Sequence, residues 1–149
     1  MANILIVDDE QSYRQLLSLV FETDGHQVVT AKNGREALEI LETEMTDLII
    51  SDVRMPDIDG ISLLRESRAL YPDIGMIMMT AFATVDTARE AFKLGADDFV
   101  QKPFDVEELK LIVKKTLDKQ ELVVENRAFK RAQREKGSIK NIVGRSGKM

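Results

Sequence analysis

The 149-residue sequence predicts an α/β domain, a doubly wound parallel sheet of five strands with five helices on its two faces. Three observations predict it. Five short apolar runs alternate strictly with five segments whose apolar residues recur at helical spacing, and such alternation folds through right-handed crossovers into a parallel sheet. Three of the five runs are almost continuously apolar, as strands covered on both faces must be. The helical segments carry start and stop signals at the places this architecture needs them.

The first strand is Ile4-Leu5-Ile6-Val7. The helix after it carries Tyr13, Leu16, Leu17, Val20 and Phe21 on one face and ends at Gly25, a residue suited to the left-handed C′ position. Gln27-Val28-Val29-Thr30 forms the second strand, followed by a helix built on Ala37, Leu38 and Leu41. Leu48-Ile49-Ile50-Ser51 is the third, and its helix carries Ile61, Leu64, Ser67 and Arg68, with Pro72 beyond the end. Met76-Ile77-Met78-Met79 is the fourth, followed by a helix with Val85, Ala88, Ala91 and Phe92 that stops at Gly95. Asp98-Phe99-Val100 is the fifth. Asp105-Val106-Glu107-Glu108 then opens the last helix in a capping-box arrangement, and Leu109, Ile112, Val113 and Leu117 continue it. From Val106 to Lys136 there is neither Gly nor Pro, so this helix is expected to extend into a linker.

Composition narrows the function. With 44% hydrophobic and 32% charged residues the chain has the makings of a proper core, and at 5% aromatic it lacks the rings for a stacked-base platform. No stretch approaches the ~20 apolar residues of a membrane span. The N-terminus has no basic segment followed by an apolar one, so no secretory signal and no membrane partner is expected and the location is read as cytoplasmic. Zero cysteines exclude thiolate chemistry, and the single histidine, His26, builds no zinc site and is given a surface role. The net charge of −5 is divided unevenly: residues 127–149 hold eight basic residues against Glu135 alone, which is +7, and leave −12 for residues 1–126. That acidic body argues against nucleic acid as the partner of the whole surface.

The chemistry collects at the carboxyl ends of the strands, where open α/β sheets bind ligands. Strand 1 runs into Asp8-Asp9-Glu10, strand 3 into Asp52, strand 4 into Thr80-Ala81 and strand 5 into Lys102-Pro103. Clustered carboxylates repel one another, so one must be protonated or a cation must sit among them. An all-oxygen set without His or Cys selects a hard ion, Mg²⁺ with some of its waters. Asp52, central in this array, is the expected nucleophile toward a phosphoryl group, with Lys102 pairing with a phosphoryl oxygen and the Thr80 hydroxyl donating to another.

These residues as a set resemble the receiver domain of two-component response regulators. The resemblance covers residues 2 to about 120 and is carried by Ile4 to Glu10, by Asp52-Val53-Arg54-Met55-Pro56-Asp57-Ile58-Asp59-Gly60, by Thr80-Ala81 and by Gly95 to Phe104. It implies a flavodoxin-like strand order 2-1-3-4-5, direct magnesium ligation by Asp9 and Asp52, Asp8 acting largely through water, and the backbone carbonyl of Arg54 as a further ligand. It also implies that a sensor histidine kinase phosphorylates Asp52, that Lys102-Pro103 is cis, and that Thr80 and Phe99 form the switch. The family often has Tyr where this chain has Phe99, so output from that residue would run through packing and not through a hydroxyl. The chain is then a regulatory phospho-acceptor that assists only its own phosphorylation and dephosphorylation. Arg54 stands where an aspartate-based phosphatase would have its second acid, which counts against that rival.

The basic tail carries a second resemblance. Residues 138–149 look like the start of the AAA+ ATPase domain of nitrogen-regulation-type enhancer-binding activators. The implied organisation is a receiver over 1–120, a helical linker over 121–137 and a truncated ATPase from 138, with DNA contacted only through missing C-terminal domains. Residues 144–148 are no P-loop, because only two residues separate the glycines. A homodimer is expected through the linker helix and the face formed by helix 4, strand 5 and helix 5.

Overall fold

A computed structural model describes residues 2–55, 58–81 and 84–119, and one compact unit spans Met1–Leu117. The expected linker and ATPase start, 121–149, lie outside the described residues. Element order is β1 (Asn3–Val7), α1 (Gln11–Thr23), β2 (Gln27–Ala31), α2 (Gly34–Thr43), β3 (Leu48–Asp52), α3 (Gly60–Leu70), β4 (Gly75–Thr80), α4 (Val85–Lys93) and β5 (Asp98–Gln101). A fifth helix, α5, runs over 106–119. All strand pairs are parallel and the order is β2-β1-β3-β4-β5.

Alternation along the strands divides the core in two. Leu5, Val7, Ile49, Met76 and Met78 join Ala37, Leu41, Leu63, Leu64 and Ala91 on the face covered by α2, α3 and α4. Ile4, Ile6, Ile50, Ile77 and Met79 join Leu17, Phe21, Leu109 and Val113 under α1 and α5. Every residue of β3 and β4 is buried, which is why those strands read as unbroken apolar runs.

The helix signals resolve into specific bonds. Gly25 and Gly95 take positive φ (93° and 110°) after α1 and α4, the conformation that favours glycine. Asn33, Asp59 and Thr84 cap α2, α3 and α4 by accepting from the backbone N–H of Glu36, Ser62 and Thr87. At α5, Asp105 accepts from the N–H of Glu107, one residue earlier than a capping box would place it.

Three expectations are corrected. On α4 only Ala91 is buried, while Val85 and Phe92 are 72% and 50% exposed, so that helix turns two of its apolar residues outward. On α1, Leu16 is exposed and Leu17 and Phe21 carry the packing. His26 is half-buried, with Nδ1 accepting from the Ala2 N–H at 3.1 Å; burial, then the nearby N-terminal charge, push its imidazole below its ordinary value.

Arg68 ties the far end of the sheet together. Its guanidinium donates to the carbonyls of Gly95 (2.8 Å), Pro72 (3.0 Å) and Ile74, and to Asp97 Oδ2 (2.8 Å), which also accepts from the Met76 N–H. A lysine could not reach these acceptors from one position, because it lacks the planar fork. Arg68→Ala is expected to lower the unfolding free energy by about 2–3 kcal/mol. Urea titration followed by circular dichroism checks this, and a loss under about 0.5 kcal/mol would remove the clamp's importance.

Candidate functional site

β1 and β3 lie side by side at the centre of the sheet, and the chain leaves both at the same edge. Asp8 follows β1 directly. Its N–H donates to the Ala31 carbonyl at the end of β2, which fixes the backbone, and its carboxylate is fully buried. Oδ1 accepts from the Glu10 N–H at 2.9 Å, and Oδ2 accepts from Lys102 Nζ at 2.7 Å. Asp52 is the last residue of β3 and 6% exposed; Oδ1 accepts from the Arg54 N–H at 3.2 Å and Oδ2 from Lys102 Nζ at 3.0 Å. Glu10 Oε1 reaches within 3.7 Å of the same ammonium.

Lys102 comes from the loop after β5, where the Lys102-Pro103 bond is cis. Its N–H donates to the Thr80 carbonyl at 2.8 Å, so the backbone at the end of β4 places the lysine. Thr80 ends β4 and is buried, one residue beyond the Met79 that pairs with Asp52.

Gly60 makes room for Asp52. A Cβ at Gly60 would lie 2.1 Å from the Asp52 carbonyl oxygen and 2.8 Å from Val53 Cα. Only a residue without that atom lets the start of α3 approach the end of β3, and the Gly60 N–H then donates to the Val53 carbonyl at 2.8 Å.

Charge in this pocket is unevenly matched. Burial raises the Asp8 carboxyl above its ordinary value, outweighing the hydrogen bonds from Lys102 and the Glu10 N–H that act to lower it. Burial alone would lower the Lys102 ammonium, but its hydrogen bonds and charge interactions with Asp8 and Asp52 win and hold it above the ordinary lysine value.

The structure therefore brings together Asp8, Asp52 and Lys102. Oxygen atoms of Asp8, Glu10 and Asp52 lie within 4.8 Å of one another, an all-oxygen donor set suited to a hard cation. Asp9, expected as a direct ligand, is exposed, and its carboxylate is not a member of that trio. Arg54 is exposed and meets Asp52 through its backbone N–H. Phe99, on β5, is half-buried and packs against the cluster under α2, α3 and α4.

Sequence reasoning missed two neighbours of the ammonium. Glu10 was legible as the third acid of its run but stood outside the expected ligand set. Tyr13 fitted a helix core position, yet its ring lies under Lys102 Nζ, 3.9 Å from the centroid. Its place in the first turn after the acidic loop was the available signal.

Comparison with known proteins gives a consistent answer. The family model described as the response regulator receiver domain matches residues 4–114. The regulatory protein AtoC of Escherichia coli K12 is 44% identical over 129 residues, covering 87% of this chain and 28% of that protein. Sporulation initiation phosphotransferase F of Bacillus subtilis is 41% identical over 114 residues, 76% of this chain and 92% of that protein. Among solved structures, NtrX from Brucella abortus superposes with a TM-score of 0.81 at 30% identity, over 86% of this chain and 29% of that one. The chain spans about a quarter of the length of the first curated relatives it matches, 28% and 26% for AtoC and ZraR of Escherichia coli K12.

The Asp8 shift has a sign that can be measured. Its folded pKa lies above the unfolded one, so its contribution to stability is fully present below the unfolded value and is lost as pH rises through the folded value. Asp8→Asn is therefore expected to stabilise the chain at neutral pH in metal-free buffer, with a gain that shrinks on acidification. Urea titrations across that pH range check this; a variant less stable than wild type at neutral pH would overturn it.

Proposed function

The chain belongs to the response regulator receiver domain family, and from that premise we propose that Asp52 accepts a phosphoryl group from a sensor histidine kinase in the presence of Mg²⁺. An Asp52 carboxylate oxygen forms the new P–O bond as the P–N bond of the donor phosphohistidine breaks, and the departing imidazole takes up a proton. The observation that carries this reading is the Lys102 ammonium held 2.7 Å from Asp8 and 3.0 Å from Asp52 at the mouth of the sheet. That ammonium is poised to move onto a phosphoryl oxygen, with the Thr80 hydroxyl donating to another.

The donor chemistry fits a magnesium ion. Asp9 and Asp52 would hold it directly, Asp8 through water and Arg54 through its carbonyl, with Glu10 completing the acidic rim. The ion supplies charge neutralisation for the transferring group. Burial of Asp8 and Asp52 supports this, since acids that exceed their local cations in a desolvated pocket favour a further cation.

Output would pass from Thr80 through Phe99 to the face of α4, β5 and α5. The exposed apolar side chains of these helices, Val85 and Phe92 on α4 and Leu111 on α5, support a homodimer surface shared with the linker helix. ZraR is named as a transcriptional regulatory protein, which supports an output in transcription; an ATPase beginning near residue 138 and a DNA-binding part beyond it would carry that output.

Treating the chain with acetyl phosphate and magnesium is expected to add one phosphate by intact mass. Asp52→Asn and metal chelation should each abolish the gain, and labelling of the Asp52→Asn variant would overturn the site assignment. Sedimentation is expected to find self-association in the full chain, strengthened by a phosphate mimic and weakened by truncation after Thr116. Monomers under every condition would exclude the dimer.

A further inference from the structure

Two aromatic rings stand beside the charged pocket. Tyr13, in the first turn of α1, lies under the Lys102 ammonium with Nζ 3.9 Å from the ring centroid. The Tyr13 ring meets Phe104 with centroids 5.9 Å apart at 47°. Phe104 packs against the buried cluster under α1 and α5, and it sits two residues after Lys102 on the same loop. The helix that follows the acidic loop is thus joined to the loop that carries the lysine, through a ring placed against the lysine's charge.

We propose that Tyr13 is a positioning residue for Lys102, its ring face holding the ammonium in the pocket while its hydrogen bonds are exchanged. The consequence for rate rests on the reading of Asp52 as phospho-acceptor; the geometry does not. Among the described residues Lys102 Nζ has three carboxylate neighbours, Asp8 at 2.7 Å, Asp52 at 3.0 Å and Glu10 at 3.7 Å. Bonds to carboxylates are strong and directional, and the ammonium must reorient its three N–H donors among Asp8, Asp52 and an incoming phosphoryl oxygen, an exchange that strains the two bonds it already makes. Attraction to the face of an aromatic ring is weaker and has little directional demand. A ring beneath the ammonium therefore keeps it inside the pocket through that exchange, where an aliphatic side chain would leave it drawn only by the acids and by water. Phe104 holds the ring, so the pair acts as a shelf for the charge.

The face of the ring carries this role and the phenol hydroxyl does not, which separates it from ordinary packing. Tyr13→Leu keeps an apolar side chain at this half-buried position and is expected to slow phosphorylation of Asp52 by acetyl phosphate about three- to tenfold. Tyr13→Phe should stay within about twofold of wild type. Proton NMR of the 149-residue chain, labelled at lysine, gives a readout that needs no phosphate. The Lys102 ε-methylene protons should be shifted upfield by the ring current in wild type and Tyr13→Phe, and return toward ordinary values in Tyr13→Leu. Circular dichroism confirms that each variant is folded. A Leu variant as fast as wild type, a Phe variant as slow as Leu, or an unshifted Lys102 in wild type would each overturn the proposal. If wild type takes up no phosphate at all, the reading of Asp52 fails by itself, and the upfield shift still decides for or against the shelf.

Discussion

The Lys102 ammonium shared between Asp8 and Asp52 is the contact on which the arrangement at the mouth of the sheet depends. It joins three stretches far apart in sequence, the ends of β1 and β3 and the loop after β5. Two carboxylates removed from water would repel each other strongly, and the buried cation between them offsets part of that cost. The match is incomplete, with Glu10 adding a third acid at the rim. Such a pocket is a poor way to stabilise a domain and a good way to hold a site ready for a cation and an anion together. Its backbone is fixed by bonds that the charges do not supply: Asp8 to Ala31, Lys102 to Thr80 and Gly60 to Val53.

Around that contact the scaffold is stiff where the chemistry needs it and open where a partner could bind. β3 and β4 are buried along their whole length, so Asp52 and Thr80 stand at the ends of elements that cannot bend independently. At the opposite end, the guanidinium of Arg68 gathers the end of α3, the approach to β4 and the turn after α4. α4 differs from its neighbours. It buries Ala91 against the sheet and leaves Val85 and Phe92 exposed, so less apolar area ties it down than ties α1 or α5.

The sheet and its helices were legible in the sequence because strict alternation, buried runs and terminal glycines all pointed the same way. Strand order was not legible from periodicity; it came from the family resemblance and agrees with the pairing observed. The convergence of Asp8, Asp52 and Lys102 could be read from strand ends, since topology brings those ends to one edge. What could not be read was side-chain reach. Tyr13 has the spacing of a core residue and turns its ring face to an ammonium. Glu10, though exposed, brings a carboxylate oxygen within 4.8 Å of those of Asp8 and Asp52. The orientation of α4 escaped for a related reason. Apolar spacing marks a face, and it does not say whether that face meets the sheet or is kept for something else. His26 misled because a residue after a turn glycine is commonly exposed, and here its ring receives the Ala2 N–H.

Gly60 carries a consequence for inheritance. Every amino-acid replacement adds at least a Cβ, and a Cβ there falls 2.1 Å from the Asp52 carbonyl oxygen. Backbone cannot yield by that much without moving the residue it belongs to, so even the smallest missense change displaces Asp52, although the chemistry of every charged group is untouched. Replacement of this amino acid is opposed by contact alone. A lineage that lost the glycine would have to re-seat α3 before it could recover the geometry around Asp52.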